Sequence, residues 1–79
     1  MLLNIYSLKK PALVQEIRSI NFKTTTGELT ILDHHIPLIT LITKGSIKML
    51  DAHDKVTTID TDGGILEVRP ENRVNILLN

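Results

Sequence analysis

The sequence contains no cysteine and no tryptophan, and its only aromatic side chains are Tyr6 and Phe22. Without cysteine there is no disulfide scaffold, no thiolate nucleophile and no sulfur-ligated metal, which is compatible with a reducing compartment. Two aromatics make no platform on which nucleic-acid bases could stack. Charge of one sign is missing as well. Nine basic and nine acidic side chains cancel, so no overall field draws the chain to DNA, RNA or anionic lipid. No stretch approaches the roughly 20 apolar residues that a membrane helix needs. The apolar start at Met1–Ile5 lies before Lys9 and Lys10 rather than after a basic segment, unlike a secretory signal. The absences point to a soluble, cytoplasmic chain that reaches any membrane through a partner.

What is present is a short, aliphatic, heavily punctuated chain. Its 79 residues amount to one domain, residues 1–79. A domain of this size buries only about 60% of its unfolded surface, so it must pack well or gain stability by docking on something larger. Pro11, Gly27, Asp33–Pro37, Gly45, Asp51–Asp54, Asp62-Gly63-Gly64 and Pro70–Asn72 separate runs rich in Ile, Leu, Val and Thr. The runs are Leu3–Ser7, Ile20–Thr24, Glu28–Leu32, Leu38–Thr43, Ser46–Leu50, Lys55–Thr61, Ile65–Val68 and Arg73–Leu78. Short strands at such turn-bounded spacing predict an all-β sandwich or barrel.

Alternation supports this in Arg73–Leu78, where Val74, Ile76 and Leu78 share a face, and in Gly45–Met49, where Ile47 and Met49 do. Val56 and Ile59 break strict alternation and suggest a bulge. The run Ile36–Ile42 is apolar on both faces except at Thr40, which predicts a strand covered on both sides, in part by another protein. In Pro11–Ile20 the spacing of Leu13, Ile17 and Ile20, with proline at the start, fits a helix as well as a strand.

The side chains that carry chemistry do not assemble into an active site. His34 and His35 are adjacent, so on a strand they point to opposite faces and cannot easily share a metal, and His53 stands alone in a polar turn. Asp51, Asp54, Asp60 and Asp62 fall in or beside turns, where carboxylates cap backbone N–H groups. The Asp51–Asp54 stretch lacks the oxygen-ligand spacing of a calcium loop. Ser7, Ser19 and Ser46 sit in no nucleophile elbow, and Asp62-Gly63-Gly64 reads as a tight turn with no helix after it to cradle a phosphate. No catalytic residue, metal ligand or cofactor site is expected.

Two blocks resemble a known family. The first, Gly27-Glu28-Leu29-Thr30-Ile31-Leu32-Asp33-His34-His35-Ile36-Pro37-Leu38-Ile39-Thr40-Leu41-Ile42-Thr43-Lys44-Gly45, is similar to a pattern in the epsilon subunit of F-type ATP synthases. The second, Asp62-Gly63-Gly64-Ile65-Leu66-Glu67-Val68 followed by Asn72-Arg73-Val74-Asn75-Ile76-Leu77, resembles the end of that subunit's N-terminal domain. Order and separation agree, and Leu3–Ile20 fits upstream as strand, turn and strand, so the resemblance spans the chain. Asp33 and His34 stand where Pro and Gly are usual, Thr43 where Pro is frequent, and Arg69–Arg73 is about one residue longer.

The resemblance implies a sandwich of two roughly five-stranded sheets, with Pro11–Ile20 extended rather than helical. It implies a non-catalytic rotor subunit of the central stalk, docked on the gamma subunit and the c-ring at the cytoplasmic face of the bacterial inner membrane, coupling proton or ion transport to ATP synthesis. Ser7, His35, Ile36, Pro37, Leu38 and Thr40 match positions near gamma, although ordinary core packing explains Leu38 better. Glu28 matches a glutamate facing the c-ring and otherwise reads as a solvated turn residue. Gly27, Gly45, Gly63 and Gly64 match structural turns. The two C-terminal helices common in the family do not follow within the 79 residues, so ATP binding and rotational inhibition are not expected of this segment. An alternative is a free-standing β-sandwich that binds proteins in another assembly.

Overall fold

Strand formation follows from apolar residues falling on every second position. Leu3 and Ile5, Ile20 and Phe22, Ile47 and Met49, Leu66 and Val68, and Val74, Ile76 and Leu78 are all buried, while most of their sequence neighbours are not. A computed structural model describes residues 1–79 as seven strands without a helix. The strands are β1 (Leu2–Ser7), β2 (Leu13–Glu16), β3 (Ser19–Thr24), β4 (Gly27–Leu32), β5 (Leu38–Leu50), β6 (Val56–Arg69) and β7 (Arg73–Leu78).

Hydrogen bonding joins them into one continuous sheet in the order β2-β1-β7-β6-β5-β3-β4, antiparallel except for the parallel β1–β7 pair. The sheet makes two layers because β5 and β6, the long central pair, bend together. The first layer is β2, β1, β7, the second half of β6 and the first half of β5. The second layer is the first half of β6, the second half of β5, β3 and β4. The two sheets implied by the resemblance are therefore five and four segments deep, and covalently continuous. Between the layers lies one core of 15 buried hydrophobic residues, with Leu13, Leu29, Leu38 and Ile59 packed against its rim.

The bend lies where the ladder skips the Lys44–Asp62 pair, between Thr43↔Gly63 and Gly45↔Thr61. Gly45, Gly63 and Gly64, expected at turns, lie inside strands; of the four glycines only Gly27 closes a hairpin, after Thr25-Thr26. A bend in a paired ribbon needs backbone shapes and close approaches that a side chain obstructs. Gly63 has a φ of +131°. Gly64 needs no unusual φ, but a Cβ there would lie 2.3 Å from the Leu77 carbonyl oxygen on β7.

Two further expectations change. The β5–β6 register does not slip from Leu50↔Val56 to Leu38↔Val68, so no bulge separates Val56 from Ile59. Val56 points out to solvent and Ile59 points to the core. The ambiguous segment Pro11–Ile20 is extended. Leu13 and Ile17 share one parity, and the chain then crosses between layers at Arg18, so burial resumes at Ile20 with the other. That parity change is what imitates helical spacing. The crossing is pinned by the Ile17 N–H donating to the Met1 carbonyl at 2.9 Å and the Arg18 N–H donating to the Leu50 carbonyl at 2.7 Å.

Candidate functional site

The residues singled out in the sequence separate to two ends of the sandwich. Ser7 closes β1 opposite Leu78, half-buried, with its Oγ accepting the Lys9 N–H at 3.1 Å. His35 lies in the Asp33–Pro37 connection at the other end of the same ladder. There the His34 N–H donates to the Asn72 Oδ1 at 2.7 Å, just before Arg73 pairs with Leu2. Ser7 and His35 thus share no cluster. Glu28 is exposed opposite Lys23 on the β3–β4 hairpin, and the Lys23 side chain lies over Gly45 at the bend. Glu28 and Ser7 belong to the bend end, since grooves beside each share Asp60, Thr61 and Asp62.

At the opposite end two carboxylates organise backbone and terminus. Asp51 accepts the N–H groups of His53 at 2.8 Å and Lys55 at 3.0 Å, closing the β5–β6 hairpin. These bonds hold its carboxyl below the usual value. Asp33 receives the buried Met1 ammonium at 2.5 Å, and that bond holds Asp33 low as well, with help from Asn72. Asp54 pairs with Arg18. Asp60 and Asp62, expected in turns, lie within β6, Asp60 accepting the Ser46 hydroxyl at 2.8 Å. The histidines join no metal group: no three His, Asp or Glu side chains are placed to hold an ion. His35 is half-buried, its Nδ1–H donating to the Ile36 carbonyl at 2.7 Å.

Of the candidates around the start of β5, Leu38 packs on the core and Thr40 shares its parity and is half-buried, whereas Ile36 and Pro37, in the connection before the strand, are exposed. The residues that face outward from β5 are instead Ile39 and Leu41, 71% and 60% exposed. Leu41 pairs with Ile65, Ile65 with Leu77, and Leu77 with Tyr6, so these four lie in one row across β5, β6, β7 and β1. Their exposures run from 44% to 60%. Neighbouring strands lie about 4.8 Å apart, so the row is roughly 14 Å long. A shallow groove of about 310 Å³ follows it, lined by Tyr6, Ile65, Glu67, Asn75, Ile76 and Leu77. Single exposed hydrophobics are ordinary, whereas a contiguous apolar row makes this face the candidate docking surface.

The outer face of the second layer differs. Thr58, Lys48, Asn21 and Thr30 form its central row, and Asn21 donates to the Thr30 hydroxyl at 2.9 Å. At the hairpin end of this face the row Val56–Leu50–Ser19–Leu32 is apolar at three positions, with Val56 and Leu32 exposed and Ser19 interrupting it, so the unbroken apolar row belongs to the first layer. Sequence reasoning did not single out Tyr6, Ile65 or Leu77, and reached Ile39 and Leu41 only through the run Ile36–Ile42, expected to be covered in part by another protein; the apolar runs Ile65-Leu66 and Ile76–Leu78 carried the same signal.

Comparison with known proteins decides what kind of fold this is. The family described as ATP synthase, Delta/Epsilon chain, beta-sandwich domain matches residues 1–79. The chain belongs to that family. No curated protein matches it. Among solved structures, a chain of the Euglena gracilis mitochondrial ATP synthase, from a structure of its OSCP/F1/c-ring, superposes with a TM-score of 0.89 at 18% identity. A chain of the Tetrahymena thermophila mitochondrial ATP synthase central stalk/c-ring superposes at 0.81 with 17% identity. Each match covers 99% of this delta/epsilon-type chain, but 49% and 62% of the respective relative. The chain therefore spans about half to three-fifths of the length of these relatives, and the likeness is one of fold.

Proposed function

We propose that this delta/epsilon-type domain is a non-catalytic rotor component of an F-type ATP synthase, docked on the gamma subunit in the central stalk and touching the c-ring. It transmits torque between ion flow and ATP synthesis and does no bond chemistry itself. It works as a peripheral part of the complex at the cytoplasmic face of a bacterial inner membrane. Family membership over residues 1–79 supports this, as does the origin of both structural relatives in stalk and ring assemblies. The observation that carries it is the unbroken dry row Leu41–Ile65–Leu77–Tyr6 on the outer face of the first layer. A rotor part needs a rigid body and an interface with an apolar centre, and the continuous sheet supplies both.

On this reading gamma covers the outer face of the first layer and the adjoining His35–Pro37 edge, with Leu38 and Thr40 supporting that edge from the core side. Glu28, at the bend end, faces the ring. Titration of the chain against the gamma subunit of its own enzyme, followed by calorimetry, tests the reading. One-to-one binding lost in Leu77→Ser but kept in Lys48→Ser, on the opposite face, is the expected result. Absence of binding at micromolar concentrations by a folded protein overturns it.

A further inference from the structure

The outer face of the first layer carries, besides its dry row, a charge arrangement that the chain does not resolve by itself. Arg69 and Arg73 are direct cross-strand partners at the end of the β6–β7 ladder. Their neighbours Val68 and Val74 are buried in the core, so both guanidinium groups emerge on the outer face. Like charges opposed in this way repel. Each arginine has one carboxylate near it, Glu67 for Arg69 and Glu71 for Arg73, both at 3.7 Å and each on the arginine's own flank. Both arginine side chains remain about half exposed, where such long ion pairs stabilise little. No acidic side chain bridges the two.

We propose that the partner covering this face presents an apolar ridge to Leu41, Ile65, Leu77 and Tyr6 and a carboxylate that bridges Arg69 and Arg73. The inference rests on the stalk reading above and specifies the chemistry of that partner's surface. A carboxylate between two guanidinium groups accepts charge-assisted hydrogen bonds from both, which turns the repulsive pair into a recognition element. The geometry sets the spacing. Arg69 lies four residues beyond Ile65 on β6, a separation of about 14 Å along the strand. If the ridge is a helix lying along β6, the acidic residue is about nine positions from its central apolar side chain, at 1.5 Å per residue. Glu67, Asn75 and Asn4 fill the row between, with the Asn4 amide donating to the Asn75 Oδ1 at 3.3 Å. The acidic group must therefore reach past Glu67 to the arginine pair.

The test is calorimetric titration of the full chain against the gamma subunit of its own ATP synthase at low and high salt. Arg69→Glu/Arg73→Glu is expected to weaken binding roughly tenfold or more and to flatten its dependence on salt. Ile65→Ser is expected to weaken binding equally at both salt concentrations. Arg69→Gln/Arg73→Gln, which adds no new charge, keeps the test open if the double reversal fails to fold. Binding that is unchanged from wild type in both double variants overturns the inference and leaves the stalk reading standing. Absence of wild-type binding overturns both. Replacing the partner's bridging acid by lysine should restore binding to the reversed chain.

Discussion

Ile65 and Leu66 are adjacent on β6, yet one is 44% exposed in the dry row and the other is fully buried. Truncating each therefore separates folding from docking. Leu66→Ala leaves a cavity between the layers, where such changes cost about 2 to 5 kcal/mol. At 0.05–0.15 kcal/mol per residue, a 79-residue domain holds only about 4 to 12 kcal/mol in total. The substitution thus removes something near half of the stability. In a domain of this size each kcal/mol moves the melting temperature by about 4 to 8 °C, so a fall of roughly 8 to 40 °C is expected. Ile65→Ser loses strand propensity and some partial burial, worth about 1 kcal/mol, with a correspondingly smaller shift. Binding should show the reverse order: Ile65→Ser loses affinity, while the folded fraction of Leu66→Ala, measured well below its melting temperature, keeps it. Denaturant titration with circular dichroism reads the first pair of values and calorimetry the second. A stability loss in Ile65→Ser as large as or larger than that in Leu66→Ala would refute the reasoning, since a one-residue slip of β6 would exchange the two faces and invert the order.

Gly64→Ala should destabilise more than Gly27→Ala, since a Cβ at Gly64 meets the Leu77 carbonyl at 2.3 Å whereas one at Gly27 meets nothing within 4 Å; paired thermal melts check it. Leu38→Asp should unfold the chain or nearly so, because a carboxylate would be placed against the core, whereas Ile39→Asp on the outer face should leave the melting temperature within a few degrees. Asp33 and Asp51 both have folded pKa values below their unfolded ones, so their contribution to stability is complete above about pH 4 and is lost as pH falls through the folded values. Denaturant midpoints should therefore drop on acidification below about pH 4, and less steeply in Asp33→Asn/Asp51→Asn; an unchanged slope would show that other groups govern the acid response.

Most of the fold was legible because a strand buried on one face writes its period into the sequence. β1, β3, β4 and β7 were read within a residue or so, since one parity carries their apolar side chains. The misreadings have a common cause, in that local rules do not see where a ribbon bends. Gly45 and Asp62-Gly63-Gly64 look like turns in isolation because turns and bends make the same demand on the backbone. Only pairing across β5 and β6, from Leu38↔Val68 to Leu50↔Val56, shows that both strands run through. Likewise the parity change at Arg18 imitates a helix, because a strand that changes layer exchanges its inner and outer faces.

The site was harder to read for a reason of the same kind. Positions matched to the family pattern picked the edge of β5, and there Leu38 and Thr40 point inward while Ile39 and Leu41 point outward. A sequence pattern records which residues stand near an interface without saying which parity faces it. The row that joins Leu41 to Tyr6 spans 35 positions of sequence, counting from residue 6 to residue 41, and exists only through three successive strand registers. No local period could have assembled it. What the sequence did carry was excess: Ile36–Ile42, Ile65-Leu66 and Ile76–Leu78 hold more apolar side chains than one core can take. An amphipathic strand needs apolar residues on one parity only, so a second apolar parity implies a second dry surface. In three strands that the topology makes neighbours, the surplus side chains fall into one row. The shape of the docking face is therefore a product of register acting on surplus hydrophobicity, and it disappears if either is changed.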